Sequence, residues 1–312
     1  MRVAVVDIGT NSTRLLVADV DPQAGAVAEL DRRSTVTRLG VGVERTGELS
    51  QEGMDRVFAT LDEYRIAIDE LGAERRIAVL TSATRDAANG PAFTARVREE
   101  YGLDARTIPG DEEARLSFLG ATSGRDPDDS RTIVVLDIGG GSTEFIVGRG
   151  HEVLFHVSTQ AGVVRQTERH LHHDPPTADE LQALAGDARA TFAAAIPLRL
   201  RTGVDGMIAV AGTATSMASI DQALEPYDPA RVHGYHVTLD TCRAIGERLA
   251  ALPEAARREV PGLHPDRAPS IVAGAIFISE AMAAFELAEA EVCEHDILYG
   301  VAIDAARGGQ TA

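Results

Sequence analysis

Asp137 and Glu144 are two carboxylates separated by Ile-Gly-Gly-Gly-Ser-Thr, and residues of these types at this spacing can hold a cation beside an anion. The apolar run Ile133–Leu136 leads into the turn and Phe145–Val147 leads out, so both flanks read as buried strands. Gly139, Gly140 and Gly141 give the turn the freedom to bend tightly and bring backbone N–H groups into one concavity, which suits phosphate. Asp137 closes the incoming strand and Glu144 opens the outgoing one. Two oxygen ligands beside a phosphate cradle are what Mg²⁺ prefers. The structural alternative is a turn whose Asp only caps backbone amides.

The same pattern occurs at the N-terminus. Positions 3–17 match 133–147 at Val5, Asp7, Ile8, Gly9, Ser12, Thr13 and Val17, a shift of 130 residues and 7 identities in 15. Ile77–Arg85 aligns with Ile208–Ser216 at a shift of 131. Two matches nearly in register imply a duplicated domain, each copy giving equivalent loops to a shared cleft; the period is far too long for a solenoid. The copies have diverged, with Arg14 at the position of Glu144 and Arg85 at that of Ser216. On this reading one half carries positive charge for the anion and the other a carboxylate for the metal.

Further candidates sit at the ends of strands. Asp111, Glu112 and Glu113 follow the strand Ala105–Ile108, where ligands of α/β sheets bind, so one of them can serve as general base for water. Acidic residues at a helix start also simply complement the helix dipole. Arg85 lies on the repeated turn, and its planar fork matches phosphate oxygens; Gly212 and Thr213 are the weaker counterpart. His170, His172 and His173 lack the i, i+4 pairing with a carboxylate that a zinc site would show and read as a solvated helix end. His295-Asp296 is an isolated dipeptide. The triple glycine does not make G-x-G-x-x-G, and a strand follows it, which excludes a Rossmann site.

Composition narrows the classes. The 312 residues suit two domains. The formal net charge of −18 argues against nucleic acid and anionic membranes as partners. All 30 basic residues are Arg, which rules out a P-loop and Schiff-base chemistry. A polyanionic ligand must therefore meet local Arg groups or bound cations. Cys242 and Cys293 read as buried small hydrophobes. No signal peptide or membrane span is legible, so a cytoplasmic protein is expected.

These residues must be positioned by strands and helices. The pattern predicts a strand pair over 3–20, a mobile loop at Leu39–Val43, and a helix over about 51–71 capped by Ser50. Next come a strand at Ile77–Leu80 running into a turn, a helix at about 91–101, the strand Ala105–Ile108 and a helix at about 111–121. The Gly/Pro/Asp-rich stretch Thr122–Ser130 is the best boundary. Domains are accordingly expected at 1–125 and 126–312, with the terminal helix, about 296–312, able to pack back on the first. Beyond the boundary, Val153–Ser158 reads as a strand, 160–172 as a helix, and Thr177 as the cap of the next helix. Ile208–Val210 is a strand, Pro253–Pro269 an exposed polar segment, and 270–288 and 296–307 are closing helices. Strands followed by helices, twice over, give an α/β protein of two lobes around a central cleft, the duplicated actin-like (ribonuclease H-like) architecture.

Taken together, D-I-G-T-N-S at 7–12, T-S-A-T-R-D-A at 81–87, G-D-E-E-A-R-L at 110–116, D-I-G-G-G-S-T-E at 137–144 and A-G-T at 211–213 resemble the exopolyphosphatase/guanosine-pentaphosphate phosphatase family of the actin-like ATPase superfamily. The resemblance spans most of the chain. It implies Mg²⁺-dependent removal of terminal phosphate from inorganic polyphosphate or from pppGpp. It implies Glu113 as catalytic base and Asp137 and Glu144 as metal ligands. It places substrate contacts at Asn11, Ser12, Arg85, Gly139, Gly140, Gly141, Ser142, Gly212 and Thr213. Mn²⁺ is an expected substitute for Mg²⁺, K⁺ a further candidate cofactor, and a homodimer the expected assembly. Two positions depart from the family pattern: Thr13 stands where an aromatic is common, and Arg267-Ala-Pro269 carries Pro where an acidic residue is common, so that loop receives no role. Longer relatives add helical domains, so this form is expected to favour shorter polymers or to lack processivity. The rival expectations are an actin-like kinase or ATPase and a non-catalytic sensor of pppGpp or polyphosphate.

Overall fold

Val3–Ile8 and Ile133–Ile138 are unbroken aliphatic runs, and such runs belong in the interior of a sheet covered on both faces. In the computed structural model, which describes residues 1–126, 128–150 and 152–308, each run is an inner strand of its own mixed sheet. Two compact units result: Met1–Arg125 with His295–Ala312, and Asp126–Glu294.

In the first unit the order along the chain is β1 (Arg2–Ile8), β2 (Ser12–Val20), β3 (Val27–Val36), α1 (Val43–Thr46), α2 (Gln51–Leu71), β4 (Arg75–Leu80), α3 (Ser82–Asp86), α4 (Gly90–Tyr101), β5 (Asp104–Thr107) and α5 (Gly110–Ala121). The sheet order is β3-β2-β1-β4-β5. Alternation along β1 sends Ala4, Val6 and Ile8 into one core, with Val57, Leu61, Tyr64 and Phe93 from α2 and α4. Val3 and Val5 face a second core.

The second unit holds β6 (Thr132–Ile138), β7 (Thr143–Arg149), β8 (Glu152–Thr159), α6 (Val163–His170), α7 (Ala178–Ala195), α8 (Leu198–Arg201), β9 (Gly206–Val210), α9 (Ala211–Asp221), α10 (Pro229–Val232), β10 (Tyr235–Thr238), α11 (Leu239–Ala250), α12 (Glu254–Arg257), a 3₁₀ turn at Pro265–Arg267, α13 (Ile271–Ala284) and β11 (Glu289–Val292). Its sheet runs β8-β7-β6-β9-β11-β10. Apart from the antiparallel edge strand β10, this repeats the first sheet strand for strand. Phe192 packs edge-on against both Phe145 and Phe277, with ring centroids 4.9 and 5.4 Å apart, and joins sheet to helices.

The chain returns to the first unit with α14 (Ile297–Ala306). The second unit ends at Glu294 and not at 312, and the terminal helix belongs with the first unit, the alternative placement given above; two glycines show how it packs there. A Cβ on Gly120 of α5 would lie 1.9 Å from the Asp296 carbonyl oxygen, and one on Gly300 of α14 would lie 1.8 Å from that of Leu116. The two helix backbones touch there, and Leu298, Val301 and Ala302 close the second core over Val3 and Val5. The last four residues of the expected helix, 309–312, and Pro127 of the expected connector lie outside the described residues.

Other expectations need correction. Leu39 and Val43 are buried and Gly40 packs closely on Thr10, so the expected loop Leu39–Val43 is anchored at both ends, with Val41 exposed between them. The turns after β4 and β9 are helical from their first residues, giving α3 and α9. The helix expected over 160–172 is confined to Val163–His170, because Gly162 lies in backbone contact with Gly140 and Gly141. Within the expected exposed segment Pro253–Pro269, Arg257 is only 4% exposed; its Nη2 donates to Asp174 Oδ1 at 2.6 Å and its Nη1 to the Ala268 carbonyl at 3.3 Å. Strands β10 and β11 are too short and polar to show in the sequence. Among the described residues no helix is long and apolar enough to cross a membrane.

Candidate active site

The turn between paired strands is built identically in both units. The Gly9 amide donates to the Ser12 carbonyl at 3.0 Å, and the Gly139 amide donates to the Ser142 carbonyl at 3.0 Å. At both glycines a Cβ would sit 3.2 Å from that same oxygen, so the turn has little room for a side chain. Among the described residues, the amides of Thr10, Asn11, Gly140 and Gly141 donate no hydrogen bond inside the protein. A short loop with consecutive unspent N–H groups is an anion cradle.

Ladder register decides which side chains meet at these turns. In the first unit Asp7 pairs with Arg14 across β1 and β2; in the second Asp137 pairs with Glu144 across β6 and β7. Arg14 donates to Asp7 Oδ2 from Nε at 2.9 Å and Nη2 at 2.6 Å, and its Nη1 forms an ion pair with Asp296. Arg14 is thus committed to protein carboxylates, and the expectation that it adds positive charge for the anion is not met. Burial pushes the Asp7 carboxyl up from its ordinary value while Arg14 pulls it down. Asp137 and Glu144 are 8% and 1% exposed, and Ser158 Oγ donates to Glu144 Oε1 at 2.7 Å.

The second loop of each unit closes on the first. In unit one the Thr10 and Ser82 hydroxyls lie 2.8 Å apart and the Thr81 amide donates to the Ile8 carbonyl at 3.3 Å, which fixes α3 beside the turn. In unit two Thr213 Oγ1 donates to the Ile138 carbonyl at 3.4 Å. The entry to α9 is so sharp that Ala211 takes φ 62°, a conformation that costs a non-glycine residue about 1 kcal/mol or more.

Three carboxylates open α5, and the structure separates them. Asp111 is exposed, and Glu112 pairs with Arg106 at 2.5 Å. Glu113 is 8% exposed, with Arg85 Nη1 3.0 Å from its Oε2. The same Nη1 donates to the Ile108 carbonyl at 3.0 Å. Arg85 also lines a cavity of about 510 Å³ with Thr84, Asp86 and Thr107.

The expected residues therefore fall into one set per unit. Asn11, Ser12, Arg85 and Glu113 belong to the first; Asp137, Gly139, Gly140, Gly141, Ser142, Glu144, Gly212 and Thr213 belong to the second. Two residues given no role by sequence join them. Asp296, 1% exposed, caps α14 through Oδ1 to the Leu298 amide at 3.0 Å while pairing with Arg14. Arg267 places its guanidinium directly on Gly212: a Cβ there would lie 1.7 Å from Nη1. The glycine of A-G-T was the available signal, since only a missing side chain admits that contact. His170 and His173 instead meet Asp187 and Glu180 at 3.1 and 2.8 Å on the surface.

Comparison with known proteins agrees with this architecture. The Ppx/GppA phosphatase family matches residues 16–307. Exopolyphosphatase 2 of Mycobacterium tuberculosis is 38% identical, over 98% of this chain and 98% of that one. A crystal structure described as an exopolyphosphatase-like protein superposes with a TM-score of 0.91 at 32% identity, covering 99% of both chains. The Aquifex aeolicus Ppx/GppA family member gives a TM-score of 0.82 at 29% identity over 100% of this chain and 99% of that one. Two α/β units with repeated sheets, matching amide-lined turns and a buried carboxylate at the start of α5 thus place the chain in the Ppx/GppA phosphatase family, with the actin-like fold of its members.

Proposed function

We propose that the protein is an exopolyphosphatase, hydrolysing the terminal phosphoanhydride of inorganic polyphosphate and releasing orthophosphate with Mg²⁺. The observation that carries this reading is the in-register pair Asp137 and Glu144 beside a turn with unspent amides. The donors are oxygen only, and two carboxylates facing each other across a ladder repel and gain from a shared cation, so the set fits Mg²⁺. Bound there, Mg²⁺ would supply charge neutralisation for phosphate oxygens, and Mn²⁺ could replace it.

The remaining roles belong to the chain's own groups. The turn amides and Arg85 hold the terminal phosphate by charge-assisted hydrogen bonds. Glu113 orients the attacking water and accepts its proton, the arrangement needed when positioning and electrostatics dominate phosphoryl transfer. The 38% identical mycobacterial exopolyphosphatase supports the choice of polymer. The protein's acidity favours a cation-assisted approach of such a substrate.

The test is phosphate release from polyphosphates of defined length, from pppGpp and from ATP, with Mg²⁺ and with a chelator. Polyphosphate turnover that stops with chelator, and falls about 10²–10⁴-fold in Glu113→Gln, is expected. Cleavage of pppGpp alone would move the assignment to pppGpp 5′-phosphohydrolase, and binding without turnover would make the protein a sensor.

A further inference from the structure

Arg85 has a divided guanidinium. Both protons of Nη1 are engaged within the first unit, one by Glu113 Oε2 and one by the Ile108 carbonyl, each at 3.0 Å. Among the described residues, Nε–H and the two Nη2–H groups engage no partner. Nε–H and the Nη2–H parallel to it form the edge that meets two oxygens of one phosphate at once. The side chain is 23% exposed and borders the cavity of about 510 Å³.

The inner edge is held on both sides. Ile108 follows β5, and its own amide donates to the Leu80 carbonyl at 3.0 Å, so the accepting carbonyl is tied to the sheet. Glu113 is anchored by α5, where its amide donates to the Pro109 carbonyl at 3.0 Å. A guanidinium pinned to a sheet carbonyl cannot rotate without losing that bond, and it therefore fixes the Glu113 carboxylate.

We infer that Arg85 is a bridge: it positions the base Glu113 through Nη1 while presenting Nε and Nη2 to the phosphate under attack, without changing partners during the reaction. This rests on the phosphate reading above and adds a positioning role for Arg85. Lysine cannot replace it, because one ammonium on a flexible stem cannot hold a carboxylate, a carbonyl and a phosphate in fixed directions.

The experiment is a double-mutant cycle with Glu113→Gln, Arg85→Lys and the double variant. Binding of tripolyphosphate is measured by calorimetry with a chelator present, and kcat is measured with Mg²⁺ on polyphosphate. Arg85→Gln serves as a second arginine variant, and thermal melts confirm that each variant folds. The bridge predicts that Glu113→Gln leaves tripolyphosphate affinity within about twofold, since Gln still accepts from Nη1. It predicts that Arg85→Lys weakens binding and lowers kcat about 10²-fold, the scale of a misplaced catalytic group. That kcat loss should be clearly smaller in the Glu113→Gln background, because the part that acts through the base is already gone there and only the part from the phosphate contact remains.

Three outcomes overturn it. Tripolyphosphate binding about tenfold tighter in Glu113→Gln, with the gain lost in the double variant, would mean that the arginine must leave the glutamate to take phosphate. An Arg85→Lys loss in kcat that is equal in both backgrounds would remove the positioning role. Both results leave the phosphate reading standing. No tripolyphosphate binding by the wild type with chelator, and none by Glu113→Gln with Mg²⁺, would sink that reading, and the bridge with it.

Discussion

Arg14 stands directly across the β1–β2 ladder from Asp7 and donates to the same carboxylate oxygen twice, at 2.9 and 2.6 Å. The corresponding register in the second sheet sets Glu144 across from Asp137. One turn, present twice, thus carries an internal guanidinium in one copy and a pair of oxygen ligands in the other. Asp296, brought in by α14, shares the guanidinium with Asp7.

Removing this guanidinium takes both hydrogen bonds from Asp7 and, among the described residues, leaves Asp296 with only Arg32 as a cationic partner, whose Nη2 lies 3.9 Å away. Arg14→Met is expected to lower unfolding free energy by about 3–5 kcal/mol, the range for truncating one partner of a buried pair. Burial already raises the Asp7 carboxyl above its ordinary value, so its ionised form is the disfavoured one. The deficit should therefore be smallest in acid, where the carboxylates take protons, and grow as pH rises through the raised value. Denaturant titrations at several pH values check both; equal stability to wild type would remove the ion cluster from the account.

Glu144→Gln keeps the shape of the side chain opposite Asp137 but removes one anionic ligand. The Mg²⁺ concentration giving half-maximal phosphate release should rise about tenfold or more, with the melting curve little changed in metal-free buffer. Asp137→Asn should behave alike. An unchanged Mg²⁺ titration in both would place the cation on other residues.

Helices α5 and α14 cross with their backbones in contact at Gly120 and Gly300. Gly300→Ala adds a methyl group 1.8 Å from the Leu116 carbonyl oxygen, and backbone cannot yield as a flexible side chain can. A cost of about 3 kcal/mol is expected, despite alanine's better helix propensity. Thermal denaturation measures it, and a stabilised variant would show that the crossing is looser than described.

Glu180 closes a capping box with Thr177 at the start of α7 and also accepts from His173 and the His172 amide, which lowers its carboxyl to about 2. Its ordinary value is 4.5, so its contribution is complete above that pH and lost as pH falls toward about 2. In Glu180→Gln the acid-induced decline of stability between pH 4.5 and 2 should be shallower than in wild type, read by circular dichroism. Parallel acid curves would assign the decline to other carboxylates.

Much of this was legible in local patterns. The doubled Asp-Ile-Gly turn, the Ser50 and Thr177 caps and the aliphatic inner strands follow from residue types within a few positions of one another, because short-range sterics and hydrogen bonding leave the backbone few choices. The base was only narrowed to Asp111, Glu112 and Glu113 by that logic, with Glu113 singled out by family resemblance. Burial and Arg85, 28 residues away in sequence, are what distinguish it in the fold. Arg257 read as exposed because its neighbours are polar, yet its side chain is buried and ends on the exposed carboxylate of Asp174, 83 positions earlier.

The sequence by itself determined that two copies of one strand-turn-strand unit exist, and that their turns bend tightly enough to leave amides unspent. Tertiary structure alone decided where each charge goes: Arg14 to Asp296 across 282 residues, and α14 onto the first unit through a glycine crossing. The physical reason is range. Backbone conformation is set by neighbours along the chain, whereas an ion pair forms only once distant segments have packed and excluded water from between them.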